Sequence, residues 1–128
     1  MTVKDFEDLI IYQKSRELAK KVYEITRFPE FKKDSRFVQQ IHASAGSISD
    51  NIAEGFERQG NKEFANFLYI AKGSCGELRS QLNRAFDVGF ISDDVYKQMY
   101  EECKMLSVSI MRFIQSLKTS SNPGSKYL

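Results

Sequence analysis

The sequence predicts an all-α fold, an antiparallel up-down-up-down four-helix bundle. Three observations lead there: apolar residues recur at steps of three and four in four segments, no segment alternates with the period of two that a half-buried strand needs, and the connections are short. With 128 residues the chain makes one domain, able to bury about two-thirds of its unfolded surface. The bundle is expected over residues 1–118, and residues 119–128, of Thr-Ser-Ser-Asn-Pro-Gly-Ser character, are expected as a disordered tail.

The first helix is expected from about Asp8 to Thr26. Leu9, Tyr12, Arg16, Ala19 and Tyr23 trace one row on it, and Ile11, Leu18, Val22 and Ile25 trace a second. Two adjacent rows give a face broader than a coiled-coil seam, as a bundle helix requires. Phe28-Pro29 ends it, because the residue before proline is pushed away from helical angles. Glu30 to Asp34 reads as a short linker, polar apart from Phe31, before a second helix from about Ser35 to Glu57 with the stripe Ile41, Ala45, Ile48, Ile52 and Phe56. Gly60-Asn61 makes a turn with Asn61 as the N-cap of a third helix, Lys62 to about Val88. That helix carries Phe64, Phe67, Ala71, Cys75, Leu78, Leu82 and Ala85, and Gly89 stands where a C′ glycine belongs. Ser92 caps the fourth helix, Asp93 and Asp94 suit its positive end, and Val95, Met99, Cys103, Leu106, Ile110, Phe113 and Leu117 form its stripe.

The second helix is unusual. Ser44, Gly46, Ser47, Ser49 and Asn51 lie between its apolar residues, and in a helix interior Asn costs about 0.6 and Gly about 1 kcal/mol relative to Ala. Packing must hold such a segment. Its small residues are expected to admit close neighbours, with Asn51 and Glu54 bonding specifically between helices or subunits. Gly73, Ser74 and Gly76 suggest a matching close approach on the third helix. Ser47, Ile48, Asn51, Ile52, Glu54, Gly55, Gly73, Ser74 and Glu77 are therefore the expected packing or assembly motif.

Little in the chain resembles a reaction centre. The acidic pairs Glu7/Asp8, Asp93/Asp94 and Glu101/Glu102 are neighbours that point apart on a helix, and read as solvated or capping charges. His42 is the only histidine, so neither a zinc site nor the Glu-x-x-His pairs of a di-iron bundle can be assembled. Lys72-Gly73-Ser74 lacks the first glycine of a phosphate loop and falls mid-helix. Cys75 and Cys103 sit on apolar stripes of different helices, as buried small hydrophobes do. No enzyme activity, cofactor or metal is expected. No apolar run is long enough to span a membrane, and the N-terminus lacks a secretory signal, so a cytoplasmic location is the default.

The net charge of +2 predicts no nucleic-acid partner by itself. From Phe37 to Glu57 the second helix holds Asp50, Glu54 and Glu57 and no Lys or Arg. A weaker candidate for nucleic-acid contact is Lys14, Lys20, Lys21, Lys32, Lys33 and Arg36, if the first helix and the linker gather them. Ten phenylalanines and six tyrosines exceed what a bundle of this size needs inside, which points to self-association through a lateral surface.

Four stretches together resemble the four-helix-bundle proteins of the intervening sequences in bacterial 23S ribosomal RNA genes. They are Phe6-Glu7-Asp8-Leu9 with Tyr12-Gln13-Lys14; Thr26-Arg27-Phe28-Pro29; Ser47-Ile48 through Asn51-Ile52-Ala53-Glu54-Gly55; and Ala71-Lys72-Gly73-Ser74 leading to Glu77-Leu78. The resemblance spans about Phe6 to Leu117. It implies a bundle that assembles into a homopentameric ring, with no enzymatic activity established. A related branch, the accessory proteins of diversity-generating retroelements, forms a basic pentamer that engages nucleic acid and a reverse transcriptase. Many relatives carry an Arg-Arg pair where this chain has His42 and Ala43, and a larger aliphatic residue where it has Gly46. The expected function is thus a non-enzymatic oligomeric scaffold, with a nucleic-acid-binding accessory factor as the alternative.

Overall fold

The computed structural model describes residues 3–58 and 60–119. The tail beyond 119 lies outside the described residues. Helix α1 (Ile10–Ile25) is followed by a single short turn of helix, α2 (Pro29–Lys32), and then by three long helices, α3 (Ser35–Glu57), α4 (Asn61–Asp87) and α5 (Asp93–Thr119). No strand occurs among the described residues. α1 packs against α3 and α5, and α4 packs against α3 and α5. Neighbours in sequence are thus neighbours in space, which with short connections makes each long helix antiparallel to the next.

Three boundaries differ from the sequence expectation. The first helix does not begin at Asp8: Phe6–Asp8 forms a 3₁₀ turn closed by a capping box between Asp5 and Asp8, and Leu9 is extended. The presumed linker is partly helical, because Pro29 supplies the fixed φ of a first helical turn and Phe31 is driven wholly inside. Gly60, at φ +103°, is the N-cap of α4, while Asn61 is its first helical residue and donates from Nδ2 to the Leu117 carbonyl, 3.3 Å away. The other end of α4 closes as expected. Gly89 at φ +80° lets its own N–H reach the Phe86 carbonyl (3.0 Å) and the Phe90 N–H reach that of Ala85 (2.8 Å), a Schellman motif. α5 starts with Ser92 Oγ accepting the Val95 N–H at 3.2 Å, and it runs on to include Thr119.

The core follows the apolar stripes. Ile11, Leu18, Val22 and Ile25, the second row of α1, are buried, whereas Tyr23 of the first row is 53% exposed. The phenylalanines have a use that the sequence alone did not reveal. At one end of the bundle Phe31 stacks on Phe37 and lies against Phe90, with ring centroids 5.0 and 5.1 Å apart. At the other end Phe6, Phe56, Phe64 and Phe113 make a chain of edge-to-face contacts. Seven of the ten phenylalanines thus plug the two ends of the bundle, so aromatic surplus is no measure of the surface left for a partner.

Candidate interaction site

The small residues of α3 meet α4 through a short polar chain. Asn51 Nδ2 donates to the Ser47 carbonyl at 2.8 Å and to Ser47 Oγ at 3.0 Å, both within α3. Ser74 Oγ of α4 donates to the same Ser47 Oγ at 2.8 Å. Ser47 is therefore a polar contact point between the helices, and Asn51 orients it. Direct bonding of Asn51 across helices, as expected from sequence, is replaced within the protomer by back-bonding to its own helix.

Ile48 and Ile52 are fully buried, and Gly55 lies at a close approach of α3 to α4. Glu54 is exposed and pairs with Arg58 at 3.0 Å on its own helix, so it joins nothing to α4 or α1. Gly73 and Gly76 face outward with nothing within 4 Å of an added methyl, and Glu77 is exposed beside them. Within the protomer, then, Ser74 alone of that glycine–serine segment makes the close approach; the helical period turns its neighbours outward.

The six cations do not gather. Lys21 reaches α5 and pairs with Glu102 at 2.6 Å, and Lys14 flanks the α1–α5 seam beside Ile10 and Met105. Arg36 lies near Arg84 and Phe90 at the start of α3, and Lys33 pairs with Glu30 at 3.2 Å. Lys20 instead shares the outer face of α1 with Arg16 and Tyr23, and Arg27, just past the end of the helix, lies on the same side. Reading α1 for unpaired cations at helical spacing would have found that row.

Beside the Ser47–Ser74 bond an open groove of about 550 Å³ runs between α3 and α4, lined by Gln40, Ala43, Ser44, Ser47, Glu77, Ser80, Gln81 and Arg84. Gln81 is 7% exposed, and its buried Oε1 accepts no hydrogen bond. Its position was legible, as a polar residue between Leu78 and Leu82 on an otherwise apolar stripe. Arg84 closes one end of the groove, donating to Gln40 Oε1 at 3.2 Å and lying 4.3 Å over the Phe37 ring.

On the adjacent α1–α3 side, His42 Nε2 lies 2.8 Å from Thr26 Oγ1 and its ring packs on Tyr23 at 4.1 Å. Burial lowers the His42 pKa. Burial pushes the Cys75 and Cys103 thiols up to about 12, and Cys103 Sγ donates to the Cys75 carbonyl at 3.4 Å. No group of three or more His, Cys, Asp or Glu among the described residues could hold a metal ion, and no described helix is long and apolar enough to cross a membrane.

Fold and site together define a helical bundle with a polar seam on one side. The sequence matches the family model of the 23S rRNA-intervening sequence proteins over residues 7–112, and the chain belongs to that family. Its fold is that of a solved structure from Bacteroides thetaiotaomicron VPI-5482, a protein of unknown function from the S23 ribosomal protein family. The TM-score is 0.77 at 23% identity, over 83% of this chain and 99% of that one. No curated protein matches the sequence.

Proposed function

We propose that this chain is a non-enzymatic helical scaffold of the cytoplasm that works as an oligomer, a closed ring being the form that the family resemblance implies. The observation that carries this reading is the set of large apolar side chains left at the surface. Ile10 and Met105, each 64% exposed, flank one groove between α1 and α5, and Ile70, Val88 and Val108 are also wet. Side chains of that size gain by being covered. The reactive residue types are committed elsewhere, His42 to Thr26 and both thiols to the core. Light scattering on the purified chain at micromolar concentration is expected to give a multiple of the 14.8 kDa protomer mass. A protomer mass would overturn the reading.

The outer row of α1 favours a second reading, an accessory factor that binds RNA or DNA. Arg16, Lys20 and Arg27 form no ion pair among the described residues and stand together on one face. Binding through them would weaken steeply with added salt, because each neutralised phosphate releases counterions. Absence of any shift with structured RNA at low salt would remove this alternative.

A further inference from the structure

Building on the oligomeric reading, we propose that the α3–α4 groove receives the outer face of α1 from a second copy of this chain, so that copies join head to tail. The groove holds a hydrogen-bonding group that needs a partner. Gln81 Oε1 is buried and accepts nothing, although such atoms are nearly always paired in folded proteins. Because the terminal torsion of a glutamine is broad, a modest turn of the amide presents that oxygen to a donor entering the groove.

The lining also suits a helix. Ala43, Ser44, Ser47 and Ser80 are small, so a neighbour's side chains can settle between α3 and α4. Charge then selects which helix. The charged residues of the groove's lining are Glu77, which forms no ion pair among the described residues, and Arg84, which already bonds Gln40. The outer face of α1 offers Arg16 and Lys20 for Glu77, with Tyr23 a turn further on, Arg27 just past the helix end, and the carboxylates Glu17 and Glu24 on the same side. A guanidinium has five N–H donors, enough for the Gln81 oxygen and a carboxylate at once. Glu24 on the same α1 face provides a counterpart for Arg84 at the groove's far end. Both complementary surfaces belong to one chain, and they differ from each other. Such a contact is heterologous, and repetition of it closes a ring where its rotation divides a full turn.

The test uses the full chain and two surface variants, Ser80→Trp to fill the groove and the double variant Arg16→Glu with Lys20→Glu on α1. Native mass spectrometry and light scattering are expected to give an oligomer for the unaltered protein and a protomer mass for each variant, with the helical circular dichroism spectrum retained. Mixed together, the two variants should form a one-to-one heterodimer, because each keeps one intact surface. Ala43→Trp, also at an exposed groove position, serves if Ser80→Trp does not fold. A protomer mass for the unaltered chain would overturn the oligomeric reading and this assignment together. An oligomer that persists in the variants would overturn the groove alone. Monomeric variants that fail to pair would overturn the head-to-tail arrangement. Loss of RNA binding in the α1 variant with assembly intact would assign the row to nucleic acid instead.

Discussion

At Gly55 a methyl group would stand 2.6 Å from Phe67 Cβ and 2.9 Å from Phe64 Cδ1. Phe67 Cβ is fixed to the α4 backbone, so the two helices must separate to admit it. Gly55→Ala is expected to destabilise the fold by about 1–3 kcal/mol despite the better helix propensity of alanine, and urea unfolding of the two proteins measures it. An unchanged or raised midpoint would mean that the α3–α4 contact is slack there. The cysteines make a second prediction of this scale. With both thiols raised to about 12 by burial, almost no thiolate exists at neutral pH. Ellman's reagent should therefore react with neither in the native protein and with both in denaturant; rapid native labelling would contradict their burial. His42 gives the third. Burial lowers its folded pKa below the unfolded value of 6.5, so the unfolded chain binds the proton more readily. The contribution to stability is present above that unfolded value and is lost as pH falls through the folded pKa. His42→Gln should flatten this acid-side fall in urea midpoints, and an identical pH profile for the two proteins would dismiss the histidine as its source.

Among the elements, periodicity made the four long helices legible, because each repeats its apolar spacing over many turns. Ile41, Ala45, Ile48, Ile52 and Phe56 are all buried as the stripe requires. What failed was short or local. α2 offers one phenylalanine in a polar stretch, too little for any period to show, and only the tertiary contact with Phe37 and Phe90 explains it. Tyr23 looked like a core residue by spacing, yet its hydroxyl end stays wet while its ring rests on His42. The assembly motif was legible as an oddity but not in its parts, since sequence does not tell which way Gly73, Ser74 and Gly76 turn. Neither small size nor charge singles out Gln81; its signal is one polar residue set between Leu78 and Leu82 at the flank of the apolar stripe. Phe31 tests the element scale most sharply. Phe31→Ala removes a wholly buried ring from the end plug and is expected to cost about 3–5 kcal/mol. A loss below about 1 kcal/mol would show that α2 is a surface loop after all.

For the whole molecule the governing feature is an uneven distribution of charge on a chain whose net charge is only +2. The outer row of α1 is basic, α3 beyond Arg36 is acidic, and the two helices lie side by side. The Lys21–Glu102 pair that ties α1 to α5 is partly exposed and adds at most about 1 kcal/mol, so the bundle does not depend on it. If α1 of one copy docks on the α3–α4 groove of the next, raising salt from about 0.1 M to about 1 M shortens the screening length from about 10 to about 3 Å and should loosen the assembly. If the exposed apolar pair Ile10 and Met105 drives association instead, the same salt leaves it intact or strengthens it, because burial of apolar surface does not depend on screened charge. Sedimentation velocity across that range separates the two, with a shift toward protomer expected. Salt-insensitive sedimentation would move the interface to the α1–α5 seam.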